Sequence, residues 1–172
     1  MEKKTISHLT AGVIISGLII IYTIVLYFSG MQSNQALGWI SYGILILGVI
    51  YFVNAFGKAN DFHLSFGNLF AYGFKVAAFA ALIFIAFIVL FNLIFPEFKE
   101  KIFETARQNM ESQGKLTEEQ INSGVEITKK FFTVFIIAGS LFFFALFGAI
   151  GSLIGAAITK RDVTDTPFEN VQ

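Results

Sequence analysis

The chain has 172 residues, of which 55% are hydrophobic and 14% charged, and its 12 Lys+Arg balance 12 Asp+Glu. Soluble domains carry about 25% charged residues, so this composition argues for a membrane protein, and the balanced charge gives no reason to expect nucleic acid as a partner. No cysteine is present, which excludes disulfides, thiolate catalysis and cysteine metal sites. The charge deficit is local: no Asp, Glu, Lys or Arg lies between Lys4 and Lys58. That run far exceeds the roughly 20 residues of one bilayer crossing. The chain must therefore fold back on itself.

Met1 to His8 is a polar leader with Lys3 and Lys4. A first span is predicted at 9–28. Its apolar run is longer than the roughly 7–15 residues of a signal-peptide core, and no A-x-A pattern follows, so it reads as a retained helix. Gly12, Ser16, Ile19, Thr23 and Leu26 share one heptad line. Ser29 to Gln35 forms a turn, with Gly30 suited to the left-handed conformation that ends helices. A second span is predicted at 36–56, with Trp39, Tyr42 and Tyr51 near its ends as interfacial aromatics.

Gly57 to Gly73 mixes Lys58, Asn60, Asp61, His63 and Asn68 with Phe62, Phe66, Phe70 and Tyr72. The mixture suggests a short interfacial helix or re-entrant turn. Asp61 and His63 are close in sequence, but metal sites need three or four ligands and no third stands nearby. Together with Lys58 and Lys75 they are candidate contacts for a phosphate headgroup. A third span is predicted at 76–95, with Lys75 snorkelling at its entrance.

Pro96 suits the first turn of a new helix. The stretch from Glu97 to Lys130 is hydrophilic. Phe98, Ile102, Ala106 and Met110 recur every four residues and mark the apolar side of an amphipathic helix. Gly114 ends that helix. Thr117-Glu118-Glu119-Gln120 matches a capping box. The expected structure is an extramembrane helical hairpin over 97–130, with helices near 97–112 and 118–130, the second running on into span four. Phe98, Ile102 and Met110 are its candidate partner surface.

The fourth span, 131–158, contains no charged residue. Ala138, Ala145, Ser152 and Thr159 are spaced by seven, and Leu141, Gly148 and Gly155 form a second set offset by three. All but Leu141 are small. Such a stripe lets a neighbouring helix backbone come close, while Phe135, Phe142, Phe143, Phe144 and Phe147 occupy the flanks. Lys160 and Arg161 close the span, and a polar tail at 162–172 is expected to be disordered.

Four spans put both termini on one side. Basic residues number six on each side by this reading: Lys3, Lys4, Lys58, Lys75, Lys160 and Arg161 against Lys99, Lys101, Arg107, Lys115, Lys129 and Lys130. The first helix usually dominates orientation, and Lys3 and Lys4 flank it, so the termini are expected inside. The span interiors carry no Asp, Glu, Lys, Arg or His, whereas transporters and pumps usually keep ionisable groups there. No P-loop, dinucleotide fingerprint, HExxH or GxSxG occurs.

The layout resembles a bacterial domain-of-unknown-function family, the one numbered forty-one ninety-nine. The matching features are the lysine-flanked first span, LSFGNLFAYGFK opening span three, the charged segment before span four, and the GAIGSLIGAAITKR ending. The resemblance implies a small inner-membrane protein and supplies no catalytic residues.

The expected fold is therefore an all-α integral membrane protein in one domain, 1–172. It has four transmembrane helices and an extramembrane hairpin between spans three and four. The expected role is a non-enzymatic subunit or scaffold of a bacterial envelope complex. The partners would be the lipid bilayer and either a second copy or another membrane protein, with no cofactor. Two alternatives stand beside it: an enzyme or accessory acting on lipid-linked substrates at the cytoplasmic interface, and a small channel or carrier.

Overall fold

Local chemistry sets the start of every helix. Ser7, Asn34, Ser65 and Thr117 each accept a hydrogen bond from a backbone N–H of the following turn, and Pro96 opens the remaining helix where no donor is needed. In the computed structural model these caps delimit five helices among the described residues: α1 (His8–Phe28), α2 (Gln35–Ala59), α3 (Phe66–Ile94), α4 (Pro96–Ser112) and α5 (Glu118–Ile158). The structure describes residues 5–32 and 34–160. The expected disordered tail, 162–172, lies outside them. No strand occurs among the described residues. The helices α1, α2, α3 and α5 are long and apolar enough to cross a membrane.

The turns between spans are tight. After α1, Gly30 takes φ 69°, and the N–H groups of Gly30 and Met31 donate to Tyr27 O and Leu26 O. The same paired arrangement ends α2: Asp61 N–H donates to Lys58 O and Phe62 N–H to Gly57 O. There the left-handed position is held by Asp61, at φ 53°, and Phe62 follows at φ 62°. Asp tolerates that region better than most residues, but a phenylalanine in it is strained.

This turn corrects the reading of 57–73. The segment is neither a separate interfacial helix nor a re-entrant loop. α2 runs on to Ala59, and α3 starts at Phe66 rather than near Val76. The polar residues Asn68 and Lys75 do not break a helix that Ser65 has capped.

α3 lies at the centre and packs against all four other helices. One core joins Ala11, Ile15 and Ile19 of α1, Leu45, Val49 and Val53 of α2, Val76, Ala77 and Ala80 of α3, and Phe144 and Ala156 of α5. Small residues dominate where backbones meet. The outward faces carry Leu18, Ile21, Leu47, Leu82, Leu90, Val134 and Phe142, all exposed. Water would drive such surfaces to associate; acyl chains would solvate them.

α5 is continuous over 41 residues. At about 1.5 Å per residue it spans roughly 60 Å, about twice the thickness of a bilayer's hydrocarbon core. Its capping box is complete: Gln120 N–H donates to Thr117 Oγ1 at 3.3 Å, and Thr117 N–H to Gln120 Oε1 at 2.9 Å. α4 runs antiparallel beside its first half. Phe103 meets Phe132 edge to face at 5.2 Å, Arg107 donates to Asn122 at 3.1 Å, and Met110 lies over Gly124. Lys129 sits above the Phe103 ring and Lys99 above Phe132.

Candidate functional site

The small-residue stripe of α5 divides in two. Its C-terminal half, Gly148, Ser152, Gly155 and Thr159, is buried. A Cβ at Gly155 would stand 3.2 Å from the backbone of Ile50 in α2, and one at Gly148 would collide with Ala77 of α3. The hydroxyls in this half serve their own helix: Ser152 donates to Gly148 O at 2.6 Å and Thr159 to Gly155 O at 2.7 Å. Such back-bonding satisfies each donor without a partner helix. The N-terminal half, Ala138, Leu141 and Ala145, is exposed. Phe144, which the sequence places on the bulky flank, is 3% exposed and stacks on Phe84 at 5.3 Å.

The candidate headgroup residues separate in the same way. Lys58, Asp61, His63 and Lys75 are all exposed. Lys75 lines a cavity of about 500 Å³ at the end of the bundle that holds the described N-terminal residues. Its companions there are His8, Ser7, Asn68 and Tyr72, whose hydroxyl donates to Ile6 O at 2.9 Å. His8 was not singled out from sequence. Only the packing of α1 on α3 brings it near Lys75, and no spacing in the chain signals that.

Of the candidate partner surface, Phe98 is used within the chain. It is buried in a second cluster with Ile88 and Phe91, and its ring lies 5.5 Å from that of Phe91. Ile102 and Met110 are half-buried. Phe103, absent from the four-residue spacing, is the other buried residue of α4.

At the opposite end of the bundle lies a cleft of about 550 Å³ between the α1–α2 turn, the start of α2, α4, and Phe143 of α5. Trp39, Tyr42 and Phe143 form one wall, with ring centroids 5.5–6.3 Å apart. Gln32, Asn109 and Lys101 line it as well. The Gln32 Oε1 atom is buried and accepts no hydrogen bond. A much smaller void, about 40 Å³, lies beside Asn92, between α3 and α5. The Asn92 amide donates to Ile88 O at 2.6 Å, and its Oδ1 is buried without a partner. That volume is enough for a water molecule. Among the described residues no group of three or more His, Cys, Asp or Glu side chains could hold a metal.

A family model described as a protein of unknown function (DUF4199) matches residues 10–161. The chain belongs to this family. The match takes in nearly all of the four apolar helices and the whole of α4. No curated protein and no solved structure matches the chain. Two of the stretches that suggested this family, LSFGNLFAYGFK and GAIGSLIGAAITKR, meet in space. Gly73, within LSFGNLFAYGFK, faces Ser152 of GAIGSLIGAAITKR closely enough that a Cβ there would stand 2.7 Å from the Ser152 hydroxyl. In this DUF4199 chain Gly73 of the first stretch and Gly148, Gly151 and Gly155 of the second mark close helix contacts.

Proposed function

We propose that the chain is a four-span protein of the bacterial inner membrane. Its termini are cytoplasmic, and α4 with the first half of α5 stands as a helical hairpin beyond the bilayer. It acts as a non-enzymatic subunit or scaffold of an envelope complex. The observation that supports this is the open half of the α5 stripe. Ala138, Leu141 and Ala145 continue a surface whose other half packs tightly against α2 and α3, and within the chain this half is exposed. Close packing on small residues is a principal source of helix association in lipid.

A photocrosslinking residue at Ala145 is expected to give one discrete protein adduct in native membranes. The same residue at Leu90, on the outward face of α3, is expected to give none. No adduct at Ala145, or equal adducts at both positions, would mean that the stripe faces lipid and would overturn the scaffold reading.

The proposed topology has its own test. Cysteines can be introduced singly into this cysteine-free chain. An impermeant thiol reagent is expected to label a cysteine at Ser112 and not one at Asn170 in intact spheroplasts. The reverse pattern would invert the orientation. A second reading, an accessory to lipid-linked chemistry at the cytoplasmic interface, is favoured by the cavity that Lys75 shares with His8 and Asn68.

A further inference from the structure

The cleft between α2 and α4 is at the opposite end of the bundle from Lys75, and its lining is specific enough to name a ligand class. Its volume, about 550 Å³, falls within the range of small-molecule sites. Trp39 and Tyr42 occupy the first turns of α2, and aromatic residues of this kind favour the boundary between a span and water. Opposite them stands α4, a hydrophilic helix that contributes Lys101 and Asn109. The cleft thus combines an aromatic wall with polar groups from α4 and from the α1–α2 turn, which suits an amphiphile and not a wholly soluble molecule.

The polar chemistry narrows the class further. Lys101 is the one charged side chain among the described lining residues. A single ammonium matches a singly charged phosphodiester better than a doubly charged monoester. Gln32 Oε1 is a buried acceptor without a donor, and an acceptor left in that state is costly. It calls for a ligand that brings an N–H or O–H. A quaternary ammonium brings neither. It would need rings standing apart around a space, whereas Trp39, Tyr42 and Phe143 touch one another and form a wall. Among the described lining residues no carboxylate stands ready to receive a primary ammonium.

We propose that this cleft binds one anionic phospholipid whose headgroup joins a phosphodiester to free hydroxyls, phosphatidylglycerol being the simplest. Lys101 receives the phosphate, a headgroup hydroxyl donates to Gln32, and the first acyl carbons lie on Trp39, Tyr42 and Phe143. The site is independent of which side is cytoplasmic and of whether α5 has a protein partner.

The chain contains a single tryptophan, so Trp39 emission reports on this cleft. Purified full-length protein in mild detergent would be titrated with phosphatidylglycerol, phosphatidylcholine and soluble glycerol 3-phosphate. Saturable change with phosphatidylglycerol is expected, with an apparent affinity at least about fivefold tighter than for phosphatidylcholine. Lys101→Ala is expected to remove that preference, Gln32→Leu to reduce it, and Lys115→Ala, in the α4–α5 loop, to leave it unchanged. Lys101 is exposed, so its removal tests the site without threatening the fold. Equal response to both lipids, no response, or full affinity in Lys101→Ala would overturn the proposal. Saturation by glycerol 3-phosphate at the same concentration would overturn the lipid as its source.

Discussion

Gly148→Leu is expected to destabilise the bundle by about 3 kcal/mol, the upper end of the usual cost of overpacking a core. A Cβ at this position already collides with that of Ala77, and the Ala77 Cα lies 3.8 Å away. The obstacle is a methyl group fixed to a helix backbone and not the end of a flexible side chain. α5 can accept the leucine only by moving off α3, which would loosen Gly151 and Gly155 from α2 as well. The control is Gly139→Leu on the same helix, where nothing lies within 4 Å of the added Cβ. There the substitution should be neutral or stabilising, because leucine favours a helix over glycine by somewhat under about 1 kcal/mol. Unfolding both variants in mixed micelles against a denaturing detergent gives the comparison. Equal midpoints would mean that the close approach of α5 to α3 contributes nothing.

Phe91→Ala should be comparably damaging for the opposite reason. The Phe91 ring lies 5.1 Å from Tyr27, 4.8 Å from Phe95 and 5.5 Å from Phe98. It therefore ties α1, α3 and the start of α4 together. Truncating a buried phenylalanine costs about 3–5 kcal/mol in water-soluble cores. The low end, about 3 kcal/mol, is expected here, since acyl chains replace part of the lost contact. The effect should also be directional: amide hydrogen exchange should quicken through 96–112 and remain unchanged at 66–75. Leu93→Ala, at a position exposed on α3, should do neither. Uniform acceleration in both segments would show that Phe91 stabilises the whole bundle and does not anchor α4.

The long apolar helices were legible because crossing a bilayer demands length and apolarity, and both are properties of the chain read in one dimension. The capping box at Thr117 was legible for a similar reason: it is written in four consecutive residues, and both of its hydrogen bonds form. The early start of α3 was harder to see. Hydropathy reports where a side chain prefers to sit, not whether the backbone is helical, so the polar residues between Phe66 and Lys75 read as a break. Ser65 was the available signal. Phe103 was missed because α4 touches two neighbours, placing Phe98 against α3 and Phe103 against α5, and a helix buried on two sides shows no single stripe. Which half of the α5 stripe is buried depends on which helices lie beside it, which spacing does not encode. The cleft was out of reach altogether, since Gln32, Lys101 and Phe143 come from three distant parts of the chain.

The unbroken length of α5 has a mechanical consequence. No proline or cap separates the capping box from Ile158, so a push on its first turns is not absorbed by a hinge. With α4 braced along it through Phe103–Phe132 and Arg107–Asn122, the first half of α5 is a stiffened arm on a lever roughly 60 Å long. The fulcrum is the tight glycine contact with α2 and α3 near Gly148 and Gly151. Displacing the outer arm must tilt the inner one, shifting Thr159 against Gly57 at the far end of the bundle. A load applied at the capping-box end of α5 is thereby delivered as motion at the opposite end of the bundle.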